Sequence, residues 1–213
     1  MIIKGKDYGG VLFVHIPKTA GSSISEILNK NNLDNWNRAW PRHHDPYSYL
    51  KETNSIDESV FSFAVVRNPY TRTYSCYKQY NKTNQTEISF TEYLYNIKQG
   101  KISTISPLLH IPQSFYVMDQ NALQVKRLYK FENLKELEDE LGWTLGFYNV
   151  GNYVVKSYIE GYTDEAIKIV QDLYSSDFIN FGYSKDFNQT LETYNIKNTL
   201  LIDIMPNTEI GKK

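Results

Sequence analysis

The chain has 213 residues, 41% hydrophobic and 22% charged, which suits one domain with a real core and excludes a disordered chain. A formal net charge of -1 removes any bulk electrostatic case for nucleic acid or an anionic membrane surface. The single cysteine, Cys76, rules out an internal disulfide and a cysteine cluster for metal.

Met1 to Gly10 is polar and holds no apolar signal segment, and no stretch approaches the length of a membrane span. The expectation is a cytoplasmic protein without membrane insertion. Val11 to His15 is short, apolar and β-branched, and reads as a buried strand. After Gly21 the period changes: Ile24, Ile27 and Leu28 share a helical face, with Ser22 or Ser23 placed to cap it. Residues 30 to 46 read as a loop, and Tyr49 and Leu50 as part of a short helix. Val60 to Val66 is the second strong strand, and Pro69 opens the helix that follows.

Phe90, Tyr93, Leu94 and Ile97 predict a further helix, and Pro107 and Pro112 break the chain beyond it. Phe115 to Met118 and Leu123 to Leu128 read as two more strands. Leu134, Leu137 and Leu141 mark a helix that stops at Gly142, and Ala166 to Tyr174 is the clearest amphipathic helix. Strands alternating with helices predict an α/β fold: a three-layer, mostly parallel sheet, in a single domain spanning residues 1–213 with its core over 11–184. The 18 tyrosines are expected to lie half-buried along the surface.

Two segments carry chemistry. The first is Val11 to Ser23, VLFVHIPKTAGSS. A strand feeding a turn and then a helix points backbone N–H groups and the positive end of the helix dipole at one spot, which suits a phosphate. Pro17 fixes the entry, and Lys18 supplies mobile charge. Thr19, Ser22 and Ser23 supply hydroxyl donors around Ala20, and Gly21 permits close approach of an anion. The order differs from the Walker A loop, where glycine precedes lysine. The expected turn is therefore P-loop-like without being that loop.

In the second segment, Arg67 follows a predicted central strand and Ser75 lies eight residues later. A guanidinium fork suits phosphate oxygens. Arg67 and Ser75 are expected to hold a phosphate remote from Lys18, so that the two segments grip the two ends of a nucleotide. Pairing of Arg67 with a carboxylate, and Ser75 as a plain surface residue, is the simpler reading.

With these residues the chain resembles the nucleotide-dependent sulfotransferases, in particular the carbohydrate branch related to heparan sulfate 2-O-sulfotransferases. HIPKTAGSS is similar to that family's 5′-phosphosulfate loop, and FAVVRNPYTRTYSCY to its 3′-phosphate strand and helix. Three later segments fit in the same order: Ile111-Pro112-Gln113-Ser114, Tyr129 through Leu134, and Leu173-Tyr174 through Asp177-Phe178 to Phe181-Gly182-Tyr183. The resemblance implies the donor 3′-phosphoadenosine 5′-phosphosulfate (PAPS), with Pro17, Lys18, Thr19, Ala20, Gly21, Ser22 and Ser23 around its phosphosulfate and Arg67 and Ser75 on its 3′-phosphate. Family members often carry arginine where this chain has Lys130, and the segment 151–158 departs from the family pattern.

Sulfuryl transfer to an alcohol needs a base, and histidine titrates in the right range. The family places its base in a similar segment, here Arg42-His43-His44-Asp45-Pro46. The spacing to Leu50 favours His44 over His43. A metal held by the paired histidines and Asp45 is the rival use, but adjacent residues rarely aim both rings at one ion, and no metal is expected. His15 is expected to support the first turn, Cys76 to be a buried small residue, and His110 to be structural or to line the acceptor cleft.

The implied acceptor is a hydroxyl-bearing small molecule or a glycan; Trp36, Trp40, Tyr47 and Tyr49 either stack on it or pack the loop onto the domain. An ATP-dependent small-molecule kinase and a non-catalytic nucleotide-binding protein are the competing readings.

Overall fold

The computed structural model describes residues 2–3, 6–31, 44–102, 107–145 and 161–192. A short hairpin of β1 (Ile2–Ile3) and β2 (Lys6–Asp7) leads into β3 (Gly10–Val14) and α1 (Gly21–Lys30). Next come α2 (Tyr47–Asn54), β4 (Val60–Val66), α3 (Pro69–Asn84) and α4 (Phe90–Lys98). A 3-10 turn at Pro107–His110 precedes α5 (Ser114–Val117) and a second hairpin of β5 (Met118–Asp119) and β6 (Ala122–Leu123). β7 (Arg127–Lys130) runs through a 3-10 turn at Phe131–Asn133 into α6 (Leu134–Leu141). The last two helices are α7 (Asp164–Leu173) and α8 (Ser175–Phe181).

The architecture is mixed α/β around a small parallel sheet of order β3-β4-β7. Phe13 stands opposite Phe63 and Val14 opposite Ala64, while Val66 pairs with Lys130 on the other flank. All seven residues of β4 are buried. A central parallel strand covered on both faces reads as a near-continuous apolar run, which is why VFSFAVV, apolar but for Ser62, shows no alternation.

The two faces differ by parity. Val11, Phe13, Phe61, Phe63, Val65 and Tyr129 pack against Ile24 and Leu28 of α1 and Leu137 and Leu141 of α6. Leu12, Val14, Ala64 and Val66 pack against Tyr47 and Leu50 of α2, Tyr116 and Val117 of α5, and Phe181 of α8. A third cluster joins Tyr70, Tyr74 and Cys76 of α3 to α4, α7 and α8. Several tyrosines are thus core residues rather than surface ones. Tyr70, Tyr93, Tyr116, Tyr129 and Tyr174 are fully buried, and the hydroxyls of Tyr70, Tyr116 and Tyr174 reach the carbonyls of Lys185, Leu108 and His110.

Three expectations are corrected. Phe115 to Met118 is the helical turn α5 for most of its length, because a distant carboxylate caps it. Asp177 accepts from the Gln113 and Ser114 amides at 2.8 Å each and from the Ser114 hydroxyl at 2.5 Å. The strand expected over Leu123 to Leu128 divides. Leu123 belongs to the hairpin, and the sheet strand starts at Arg127, just after the Lys126 amide donates to the Ser62 hydroxyl at 3.1 Å. Neither Ser22 nor Ser23 caps α1. Its N-cap is Ala20 in the left-handed region, with no side-chain cap.

The other starts and stops follow local rules. Asn68 accepts from the Tyr70 amide with Pro69 in the first turn of α3, and Ser89 and Thr163 cap α4 and α7. Gly142, at φ 68, ends α6. Among the described residues no helix is long and apolar enough to cross a membrane.

Leu137 is fully buried between α6 and the sheet. Leu137→Ala is expected to destabilise the fold by about 2–5 kcal/mol, read as a lower urea midpoint with unchanged slope.

Candidate active site

Because the strands are parallel, the residues after Val14, Val66 and Lys130 gather on one edge of the sheet, where ligands of open α/β sheets bind. They are the lysine turn, Arg67 and Phe131.

The lysine turn is a braced backbone. Lys18 has φ 68 and Ala20 φ 71, conformations that cost a non-glycine residue about 1–2 kcal/mol each. The Thr19 hydroxyl is turned inward onto the Ile16 carbonyl at 2.8 Å, so it braces the turn. The amides of Ser23 and Ile24 close on the Ala20 carbonyl. Glycine at position 21 has a reason the sequence reading did not supply. A Cβ there would lie 1.6 Å from Nε2 of His15, so the imidazole occupies the space a side chain would need. The His15 ring also stacks on Phe13 at 5.4 Å.

His44 joins this group from 29 residues away. Its Nδ1 lies 2.8 Å from the His15 carbonyl, and the two rings are 4.4 Å apart. A carbonyl can only accept, so Nδ1 carries the proton and the basic lone pair of the neutral ring is on Nε2. The position is set by α2, whose Tyr47 and Leu50 are buried against the sheet just beyond His44-Asp45-Pro46. His43, Arg42, Trp36, Trp40 and the segment 151–158 lie outside the described residues.

Arg67 sits against the lysine turn. Its Nη1 donates to the Lys18 carbonyl at 3.3 Å, its Nε to the Thr71 hydroxyl at 3.1 Å, and its guanidinium lies 4.3 Å over the Phe131 ring. The guanidinium thus touches the backbone of the lysine turn, while the Lys18 ammonium lies beside Gln79 of α3. Its backbone is held as firmly: the Gln113 amide accepts from Arg67 N–H and donates to Arg67 C=O, both at 2.8 Å. Glu132 accepts from the Asn68 amide at 2.9 Å and from the Tyr183 hydroxyl at 2.8 Å. Ser75 is half-buried on α3, one turn before Gln79.

The Lys18 ammonium reaches that face of α3, 3.4 Å from the Gln79 side-chain oxygen. Burial pushes Lys18 below the ordinary lysine range, and the charges of Arg67 and Lys82 push the same way. The opposing pull is that of a Cys76 thiolate, but burial raises the Cys76 thiol, so it is neutral near pH 7. Burial and the neighbouring cations thus disfavour the charged ammonium, a penalty that an anionic ligand beside it would relieve. Among the described residues no group of three or more His, Cys, Asp or Glu side chains is placed to hold a metal ion.

Residues 1–105 match the model of the sulfotransferase family. The first half of the chain is a sulfotransferase-family domain. Neither the curated proteins nor the solved structures give a match. The matched half contains the lysine turn, His44, Arg67 and Ser75. Besides Thr71, the residues that hold Arg67 and Asn68 in this sulfotransferase-family domain come from beyond it: Gln113, Phe131, Glu132 and, through Gln113, Asp177. Sequence reasoning gave them no roles. Their signal was that polar residues stand inside the three later segments resembling the family.

Since the folded protein holds the Lys18 proton less tightly than the unfolded chain, the unfolded chain binds more protons as pH rises through the depressed range. Stability must therefore rise with pH there. Lys18→Met is expected to raise the urea midpoint at neutral pH, by an amount that shrinks toward the ordinary lysine range. Equal midpoints at every pH would count against a desolvated Lys18.

Proposed function

We propose that the protein transfers a sulfuryl group from PAPS to a hydroxyl of a carbohydrate or other small acceptor. The observation that carries this reading is convergence: His44, the lysine turn and Arg67 are far apart in the chain, yet they meet through the His15 and Lys18 carbonyls. The family match over residues 1–105 supports it independently.

In this reading Pro17 to Ser23 form the P-loop-like turn and hold the phosphosulfate end, with Lys18 as the mobile cation and the first amides of α1 as fixed donors. Arg67 and Ser75 take the 3′-phosphate. When bound, the donor supplies the activated sulfuryl group. His44, fixed in its tautomer by the His15 carbonyl, accepts the proton of the attacking hydroxyl on Nε2. Lys18 stabilises the negative charge that accumulates as the sulfuryl group departs. A desolvated Lys18 beside Arg67 fits a polyanionic donor better than a neutral one. The chain is read as one cytoplasmic domain with a three-layer core.

Purified protein is expected to transfer labelled sulfate from PAPS to a member of a sugar and small-alcohol panel. It should also bind 3′-phosphoadenosine 5′-phosphate more tightly than adenosine 5′-monophosphate in calorimetry. No preference for the 3′-phosphate would end the reading, and tight binding without turnover would favour a non-catalytic protein.

His44→Ala is expected to keep that binding and lose about 10²–10⁴-fold in transfer. Transfer at the unsubstituted rate would remove His44 from the role of base.

A further inference from the structure

Among the described residues Arg72 is the largest fully buried side chain, 1% exposed, and the proposed chemistry leaves it without a task. Its Nε donates to the Pro17 carbonyl at 3.0 Å and its Nη1 to the Ile111 carbonyl at 3.1 Å. Its Nη2 is sealed from solvent with no hydrogen-bond partner among the described residues. A buried guanidinium with a bare nitrogen is costly, and an apolar side chain of similar volume would fill the space at less expense. An apolar chain cannot, however, hold two carbonyls from segments 55 and 39 residues away in sequence. The rigid fork of an arginine can.

We infer that Arg72 is a positioning residue that clamps the lysine turn to the His110–Ile111 segment, fixing Lys18 relative to that segment. The carbonyls of Pro17 and Lys18 are consecutive, and each is gripped by an arginine of one short stretch: Pro17 by Arg72 and Lys18 by Arg67. The turn needs such outside support because Lys18 and Ala20 both have positive φ. The His110–Ile111 segment is tied as well. Tyr174 donates to the His110 carbonyl at 3.0 Å, so the segment that Arg72 grips is anchored to the end of α7. The clamp stands on geometry alone; its effect on ligand binding rests on the PAPS reading.

The test compares the full chain with Arg72→Lys and Arg72→Met. Lysine keeps the charge but offers no fork to bridge both carbonyls. Amide hydrogen exchange is expected to quicken at residues 16–21 and 108–112 in both variants and to stay unchanged in β4 and α7. Binding of 3′-phosphoadenosine 5′-phosphate should weaken about 10- to 100-fold, the loss of one charged hydrogen bond's worth of positioning. Binding of adenosine 3′-phosphate, which lacks the group held by the turn, should not change. If the methionine variant does not fold, the lysine variant decides. Unchanged exchange in the turn, or an even rise across the chain, overturns the clamp. If the unsubstituted protein binds neither nucleotide, the donor reading fails while the exchange result still judges the clamp.

Discussion

The hold on Arg67 is the constraint from which the site follows. Its amide and carbonyl are both taken by one buried glutamine, and that glutamine's own amide is taken by a buried aspartate. The backbone is therefore rigid just where the central strand ends and α3 begins. From this fixed point the guanidinium reaches the Lys18 carbonyl, so the position of the lysine turn is inherited from β4 rather than from its own sequence. His44 is then referred to the same frame through the His15 carbonyl.

Buried charge organises this region more than it stabilises it. Asp177 is fully buried yet accepts three hydrogen bonds from Gln113 and Ser114, which compensates much of its desolvation. The cations fare worse. Lys18 has a neutral amide for a neighbour, and Arg72 has two carbonyls and one bare nitrogen. In the proposed reaction Lys18 stands where negative charge arrives, whereas Arg72 meets no ligand and serves to hold the turn.

The parts of the fold set by local chemistry were legible in the sequence. The β4 limits follow from a run that is apolar but for Ser62, and the end of α6 from a glycine that tolerates positive φ. The parts set by distant partners were not. The turn α5 exists because Asp177 caps it across more than sixty residues, and an aromatic, β-branched stretch gave no hint of that. The same limit applied to the site. Lys18, Arg67 and His44 could be named from residue type and order. That Gly21 yields to the His15 ring, and that Arg67 touches the lysine turn, depended on side chains meeting across the sheet edge.

The sulfotransferase-family match stops near residue 105, whereas the sheet does not. β4 pairs with β3 on one side and with β7, from outside the matched span, on the other. A fragment cut at the end of the match would leave one edge of a buried, largely apolar strand with open N–H and C=O groups, a template for self-association. The second half of this chain is in that sense the chaperone of the first: it closes the sheet that the recognisable residues stand upon.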